Sequence, residues 1–380
     1  MLYFDNAATT FPKPPEVLRA VNGSFRNFGA NPGRSGYPMS MDTAREVYRA
    51  RSAAGEFFGA PPENVIFTRN CTESLNLVIL SMLKEGGHCV ISDLEHNSVL
   101  RPVYALSRGG NVSFDCAEVP LSEPEAAVES YRNLIRPDTK LVVATGASNV
   151  FGTLLPVKKI AALCAEYGIP FLLDAAQVAG SEEISLADGY NFIAAPGHKG
   201  LLGPMGTGLL ILKGDVLPDP LMYGGTGSQS LMAGQPDELP ERYESGTLNV
   251  PGILGLGAGV NWVKRTGRDT IRKREMEIAE YLYDALSEME RIDLFAPGPA
   301  PGKSTPVLSF AIEGKTGEET SALLMRQGIA SRGGFHCAAL AHRKMGTDDR
   351  GTCRLSVGPM NRLSEAESAV RKIYAIIKSL

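Results

Sequence analysis

The sequence predicts an α/β protein with a large domain built on a doubly wound, mostly parallel sheet and a smaller α+β domain. Between about residues 42 and 214, short apolar runs alternate with segments of helical periodicity. The runs do not alternate with polar residues and are rich in Val, Ile, Leu and Phe, as strands covered on both faces should be. From about residue 262 the pattern changes to a long charged helix followed by mixed strands and helices.

The elements follow from these local patterns. The strands of the large domain are predicted at 64–68, 88–92, 111–115, 140–145, 170–174, 190–195 and 206–212, with helices at 73–87, 123–135 and 155–168. Residues 220–260 read as long loops that lead into a glycine-rich helix. The smaller domain is predicted to contain a helix at 268–290, strands at 305–312 and 352–357, a helix at 317–327 and a final helix from Ser364. Capping-box spacing occurs at Thr316 with Glu319 and at Ser364 with Glu367.

These patterns divide the chain into three parts. Residues 1–20 are expected to join the small domain, residues 21–260 to form the large domain, and residues 261–380 to form the small one.

Composition excludes several classes of function. There are 38 basic and 42 acidic side chains, a net charge of −4, so no nucleic-acid partner is expected. The start lacks the basic and apolar regions of a secretory signal. The least polar stretch, 246–263, contains Asn249, Pro251 and many glycines, which argues against a membrane span. The six cysteines are dispersed without CxxC spacing, so we expect a cytoplasmic protein without a metal site.

Candidate functional side chains lie at or after the ends of the predicted strands. Asp174 ends the strand at 170–174, and Lys199 lies beside His198 in a loop flanked by glycines. Thr72 lies between a strand and an apolar helix, where a helix N-terminus can hold a phosphate. Pyridoxal phosphate (PLP) needs a Schiff-base lysine, a carboxylate for its pyridine nitrogen and a phosphate cradle. A helix-capping Asp174 and a solvated Lys199 would give the same pattern, and the spacing alone does not separate PLP enzymes from other sheet-edge sites.

Over essentially its whole length the sequence also resembles the cysteine desulfurase/selenocysteine lyase family, a class V branch of the fold-type I PLP-dependent transferases. The stretches that carry the resemblance are, in family order, YFDNAATT, VIFTRNCTESLNL, DLEHNSV, ASNVFGTLLP, LLDAAQ, PGHKGLLGPMGTGLL, YESGTLNVPGILGLGAG, RGGFHCA and TCRLSVGPMN. The resemblance implies pyridoxal 5'-phosphate as the cofactor and a role in sulfur metabolism.

The resemblance also implies roles for individual residues. Lys199 would form the Schiff base, Asp174 would pair with the pyridine nitrogen, and Gln177 would bind the ring oxygen. His96 would stack on the ring face and move protons. The other cofactor-binding residues implied are Cys71 (through its backbone), Thr72, Asn149, His198 and Thr247.

Substrate and partner assignments come from the same resemblance. Arg354 would pair with the substrate carboxylate through its planar fork, and Ala8 and Asn149 would line that pocket. Cys337 would take the sulfur of L-cysteine as a persulfide while L-alanine leaves. Gly246–Thr247 would reach the phosphate of a neighbouring subunit, which implies a homodimer. The short loop between Gly333 and Arg354 is similar to that of members which pass the persulfide to an acceptor protein.

Two departures and two alternatives accompany this hypothesis. Pro196 replaces a serine that usually binds phosphate, so phosphate binding must be redistributed, and Gly33 and Tyr37 stand where many sulfur-mobilising members have histidines.

Selenocysteine lyase, or another β-elimination or transfer on a small amino acid, remains open, because selenium from L-selenocysteine leaves without thiolate attack. A non-catalytic scaffold or regulator should have lost Lys199 or Asp174, or carry a DNA-binding module. His336 would either tune Cys337 or shape its loop.

Overall fold

The computed structural model describes residues 1–33 and 36–380 and confirms the predicted α/β class. The helices are α1 (Pro15–Asn27), α2 (Pro38–Phe58), α3 (Cys71–Met82), α4 (Asn97–Ser107), α5 (Ala127–Leu134), α6 (Val157–Glu166), α7 (Val250–Thr266), α8 (Arg268–Ser287), α9 (Gly317–Arg326), α10 (Ala339–Met345) and α11 (Leu363–Ser379). The strands are β1 (Leu2–Tyr3), β2 (Val65–Thr68), β3 (Gly87–Ser92), β4 (Val112–Ala117), β5 (Thr139–Thr145), β6 (Phe171–Asp174), β7 (Phe192–Pro196), β8 (Gly208–Leu212), β9 (Ile292–Leu294), β10 (Val307–Ile312), β11 (Ile329–Ala330), β12 (Arg332–Gly334) and β13 (Thr352–Ser356).

The large sheet has the strand order β2-β8-β7-β6-β5-β3-β4 in the described part of the chain. Strands β4, β3, β5, β6 and β7 run parallel, and β8 is antiparallel to both of its neighbours. Successive residues face opposite sides of the sheet, so that Leu172 packs into one apolar core and Leu173 into the other. Burial on both faces explains why the sequence of the central strands is almost continuously apolar, whereas the edge strand β4 is partly exposed. The seven strands lie where the sequence predicted them.

The glycine-rich helix is also confirmed, as α7. It packs against α1 and α2, and a Cβ atom built on Gly257 would lie 2.7 Å from the Cβ of Ala50. The small residues therefore allow two helices to approach closely over the large domain.

The small domain is organised around a four-stranded antiparallel sheet, β12-β13-β10-β9, with an apolar core supplied by α8, α9 and α11. The N-terminal strand β1 pairs with β11, and Phe4 is buried in the same core. Asn6 donates to the carbonyl of Ser356 and to Oδ1 of Asn361. The predicted boundaries at residues 20 and 260 stay a prediction.

Two local details differ from expectation or extend it. The predicted capping box at Ser364 is wrong, because the Glu365 carboxylate accepts from the Arg362 N–H and starts α11 at Leu363. The box of Thr316 and Glu319 is present at the start of α9. Gly33 and Tyr37 are described, but Arg34 and Ser35 between them lie outside the described residues.

Residues 1–33 and 36–380 include no helix that combines the length and apolar character needed to cross a membrane.

Candidate active site

A cavity of about 150 Å³ opens at the carboxyl ends of β5, β6 and β7, where the N-termini of α3 and α4 also point. Ligands of open α/β sheets bind at this edge. The cavity is lined by Asn70, Cys71, Thr72, Leu75, His96, Ser98, Thr145, Asn149, Asp174, Ala176, Gln177, Pro196, His198 and Lys199. The structure therefore brings together most of the residues that the sequence analysis placed at the cofactor.

Asp174, the last residue of β6, is buried at the floor of this cavity. Its Oδ1 accepts from the Ala176 N–H at 2.9 Å and from the Cys71 thiol at 3.5 Å. Burial raises the pKa of Asp174, and the Ala176 hydrogen bond and the Lys199 ammonium act in the opposite direction. Burial and the Asp174 charge raise the pKa of the Cys71 thiol well above its usual range, so this thiol stays a donor. The sequence analysis assigned Cys71 only through its backbone.

Lys199 follows β7 and lies in the same cavity. Desolvation and, to a smaller extent, the Arg354 charge lower its pKa to about 8, while Asp174 acts in the opposite direction. The peptide before Lys199 is held by the N-terminal segment: the His198 carbonyl accepts from the Thr10 N–H at 3.1 Å and from Lys13 Nζ at 2.7 Å. Lys13 was not identified from the sequence, because its partner lies 185 residues away.

His96 is the N-cap of α4, and its Nδ1 accepts from the Ser98 N–H at 3.1 Å. Burial lowers the pKa of His96 to about 4, so the ring is neutral near pH 7 and its proton is on Nε2. Burial likewise lowers the pKa of His198 to about 4. Among residues 1–33 and 36–380, His198 Nδ1 is buried and has no hydrogen-bond partner.

Glu95, which precedes His96 in the sequence, is a further buried acid that sequence reasoning missed. It is fully buried, and its Oε1 accepts from the Thr145 N–H at 2.7 Å. Burial raises the pKa of Glu95 to about 8. Neither the residue nor its partner forms a recognisable pattern in the sequence, because they belong to different βα units.

Arg354 reaches the edge of the site from β13 of the small domain and is completely buried. It donates to the Asn149 carbonyl at 2.8 Å and to Asp5 Oδ1 at 2.9 Å. Within the described chain, Arg354 Nε and Asn149 Oδ1 have no hydrogen-bond partner, so both polar atoms are available. Asp5, which lies in the predicted YFDNAATT stretch, was not assigned this contact.

Cys337 is exposed and belongs to a constrained loop between β12 and α10. His336 and Cys337 both have left-handed backbone conformations, with φ of 50° and 58°. The loop is anchored to the large domain, because Asn97 N–H donates to the Cys337 carbonyl and Asn149 Nδ2 to the His336 carbonyl, both at 2.7 Å. Arg332 Nη2 lies 3.8 Å from Cys337 Sγ. His336 donates to the Thr352 carbonyl and so shapes the loop.

Four predicted residues lie outside the cavity lining, namely Cys337 and Arg354, described above, and Thr247 and Ala8. Thr247 is exposed in the segment before α7, and its contribution to a neighbouring subunit stays a prediction. Ala8 lies in the N-terminal turn, where its N–H donates to the Asp5 carbonyl. Gln177 connects this turn to the cavity by donating to the Ala7 carbonyl at 3.2 Å.

Comparison with known proteins identifies the family. Residues 2–368 match the model of the class-V aminotransferases. The chain belongs to the class-V aminotransferase family. It is 32% identical to a probable cysteine desulfurase of Methanothermobacter thermautotrophicus, over 96% of this chain and 92% of the relative. It is 29% identical to a cysteine desulfurase of Haloferax volcanii, over 99% and 90% of the two chains.

Solved structures of this family agree with the fold. The apo structure of a cysteine desulfurase from Thermococcus onnurineus superposes with a TM-score of 0.93 at 30% identity, over 100% of this chain and 95% of that one. An Escherichia coli cysteine desulfurase in its S-sulfonic acid form gives a TM-score of 0.87 at 25% identity, over 100% and 95% of the chains. The resemblance predicted from the sequence is confirmed.

Proposed function

We propose that this class-V family member is a PLP-dependent cysteine desulfurase, which converts L-cysteine to L-alanine and carries the sulfur as a persulfide on Cys337. The observation that carries the proposal is that Lys199 and Asp174 line one cavity. Arg354 donates to the carbonyl of Asn149, which lines the same cavity, and the Cys337 carbonyl accepts from Asn97 N–H beside it. Relatives named cysteine desulfurase support it over the full length of the chain.

The residues present fit pyridoxal phosphate. A buried carboxylate ends a central strand, two helix N-termini open into the cavity, and His198 Nδ1 and Asn149 Oδ1 are unpartnered within the described residues. Asp174 and Gln177 would hold the ring, Lys199 would supply the amine to which the cofactor attaches, and the α3 N-terminus would hold the phosphate. When bound, pyridoxal phosphate supplies an electron sink for the α-carbon of the amino acid.

Three side chains would bind the substrate, transfer its proton and exclude water. The Arg354 guanidinium binds the substrate carboxylate. The Lys199 amine, neutral in an appreciable fraction because of its lowered pKa, takes the proton from the α-carbon. The neutral His96 excludes water from one side of the site and can donate through Nε2.

Sulfur transfer requires the Cys337 thiolate, because the thiolate is the nucleophilic form of cysteine; Arg332 Nη2 lies 3.8 Å from its Sγ. The thiolate attacks the substrate sulfur and forms an S–S bond as the substrate C–S bond breaks. The electron pair of the broken bond stays with the carbon, which takes up a proton and leaves as alanine.

The remaining assignments are parts of the same proposal. A second copy of the chain would bring Gly246–Thr247 to the phosphate, and the exposure of Thr247 leaves it accessible for that contact. The persulfide on the exposed Cys337 would pass to an acceptor protein or thiol in a reducing cytoplasm.

The test measures alanine released from L-cysteine by PLP-loaded protein, with L-selenocysteine as a parallel substrate. We expect Lys199→Ala to be inactive on both and Cys337→Ala to lose cysteine turnover by about 10²-fold or more. Cys116→Ala is the matched control, because Cys116 is also exposed but lies on β4, and it should retain activity. Turnover of selenocysteine alone, unaffected by Cys337→Ala, would instead assign a selenocysteine lyase.

A further inference from the structure

The phosphate end of the cavity is formed by two helix N-termini with matching hydroxyl groups. Thr72 is the second residue of α3, and Ser98 is the second residue of α4. Their Oγ1 and Oγ atoms lie 2.8 Å apart, and both residues line the cavity together with His198. The two hydroxyls therefore act at one place, although they come from different βα units.

Pro196 occupies the end of β7 at the same cavity. The resemblance to the family places a phosphate-binding serine at this position, and proline has neither a hydroxyl nor a backbone N–H to donate. A phosphate group there has strong acceptor oxygens that need donors. The site thus lacks one donor that the family pattern would provide.

Ser98 has the hydrogen-bonding capacity to replace it. Its backbone N–H donates to His96 Nδ1, and its Oγ lies 2.9 Å from that nitrogen and 2.8 Å from Thr72 Oγ1. A hydroxyl has one proton and two acceptor positions, so the Ser98 hydroxyl donates to His96 Nδ1 here and can accept from Thr72. It can turn its proton to an added acceptor, because the Ser98 N–H continues to donate to His96 Nδ1. The unpartnered His198 Nδ1 in the same cavity is an independent sign that a polar ligand belongs there.

We propose that Ser98 supplies the phosphate-side hydroxyl that Pro196 does not, and that it links the phosphate-binding end of the site to His96. This inference rests on the proposed function, because the phosphate is that of pyridoxal phosphate. Ser98 would therefore bind the cofactor directly through its hydroxyl, while its N–H fixes the tautomer of His96. Removing the hydroxyl should therefore weaken binding of the phosphorylated cofactor specifically.

The experiment measures equilibrium affinities of the full-length protein, freed of cofactor, for pyridoxal phosphate and for pyridoxal, which lacks the phosphate. A hydrogen bond to a charged group contributes about 1.5–3 kcal/mol, so Ser98→Ala should weaken pyridoxal phosphate binding about 10- to 150-fold. Its affinity for pyridoxal should change less than about twofold. Ser98→Thr keeps a hydroxyl and should retain most of the affinity for pyridoxal phosphate.

Two further variants make the assignment specific. Ser107→Ala removes a serine from the other end of α4 and should leave both affinities unchanged. Pro196→Ser combined with Ser98→Ala should recover affinity for pyridoxal phosphate, since it restores a hydroxyl at the position the family pattern uses. Thermal unfolding of each variant shows whether the fold is intact.

Each outcome is decisive. Equal affinity of wild type and Ser98→Ala for pyridoxal phosphate would overturn the inference, as would an equal loss for pyridoxal. If Ser98→Ala does not fold, retention of affinity in Ser98→Thr together with its loss in Ser98→Val, which matches threonine in shape, supports the inference, and equal affinities overturn it. A wild-type protein that binds no pyridoxal phosphate would refute the proposed function itself.

Discussion

The pKa of the Lys199 amine is set by groups that act on it in opposite directions. Desolvation and the buried Arg354 favour the neutral amine, whereas Asp174 favours the ammonium form. The result is a pKa of about 8, so an appreciable fraction of the amine is a nucleophile near neutral pH. An exposed lysine with a pKa of about 10.4 would be almost fully protonated under the same conditions.

This difference predicts an unusual pH dependence for modification of Lys199. In cofactor-free protein, reductive methylation of Lys199 should rise with pH and reach half of its limiting rate near pH 8, because only the neutral amine reacts. A short lysine peptide in the same solution provides the reference, with a midpoint near about pH 10.4. Peptide mass spectrometry would follow both, and coincident midpoints would contradict the environment described for Lys199.

The place of a single residue was predictable where it depends on the neighbouring sequence alone. Asp174 and Lys199 follow apolar strands, so their place at the sheet edge follows from the chain order. The contacts of Cys71 with Asp174 and of Lys13 with the His198 carbonyl were not predictable, because each joins residues more than 100 positions apart. Asp5 on Arg354 is a third contact of this kind.

At the scale of elements, α8 contains an unusual buried acid. Glu275 is 6% exposed and lines a small cavity with Gln177, Ser181 and Thr305. Burial and the nearby Glu182 raise the pKa of Glu275 to about 8. Helix α8 therefore packs against the large domain with a protonated carboxyl group at neutral pH.

Replacing Glu275 should make the protein more stable at high pH. The unfolded carboxyl ionises near about pH 4.3 and the native one near pH 8, so folding becomes less favourable as pH rises between these values. Glu275→Gln cannot ionise and should raise the free energy of unfolding by about 1–4 kcal/mol at pH 8 and by much less at pH 4.5. Urea unfolding measures this difference.

Glu277→Gln serves as the control, because Glu277 is exposed on the same helix. It should show no such pH-dependent gain. A Glu275→Gln gain that is the same at both pH values would contradict a protonated Glu275.

The elements that the sequence predicted correctly are those with a clear burial pattern. The central strands of the large sheet are almost continuously apolar because both faces are covered. Helices α1 and α2 were not predicted. In α2 the buried Arg51 interrupts the apolar face and so weakens the apolar periodicity of the helix. Arg51 can be buried because it pairs with Glu244 at 2.7 Å, a residue far along the chain.

At the scale of the whole molecule, the N-terminal segment joins the two halves of the site. Strand β1 pairs with β11 in the small domain, whereas Thr10 and Lys13 bind the carbonyl before Lys199 in the large one. Asn6, between these contacts, shares a buried hydrogen bond of 3.0 Å with Asn361. Asn361 in turn donates to the Tyr3 carbonyl.

This connection predicts that Asn361 matters for global stability. Asn361→Ala leaves Asn6 and the Tyr3 carbonyl without their buried partner and should lower the free energy of unfolding by about 2 kcal/mol. Asn27→Ala, at an exposed position ending α1, should change it by less than about 0.5 kcal/mol. Chemical denaturation compares the two, and similar values would show that the Asn6–Asn361 contact is energetically unimportant.

The pairing of β1 with β11 also has a consequence for synthesis on the ribosome. Residues 2–6 emerge early, but their partners at Ile329, Ala330, Ser356 and Asn361 are translated more than 300 codons later. The large sheet can form while the nascent chain lengthens, yet the N-terminal segment must wait for the small domain before it can dock. The candidate active site is therefore completed only late in translation, and prematurely terminated chains should accumulate as partly folded, inactive species.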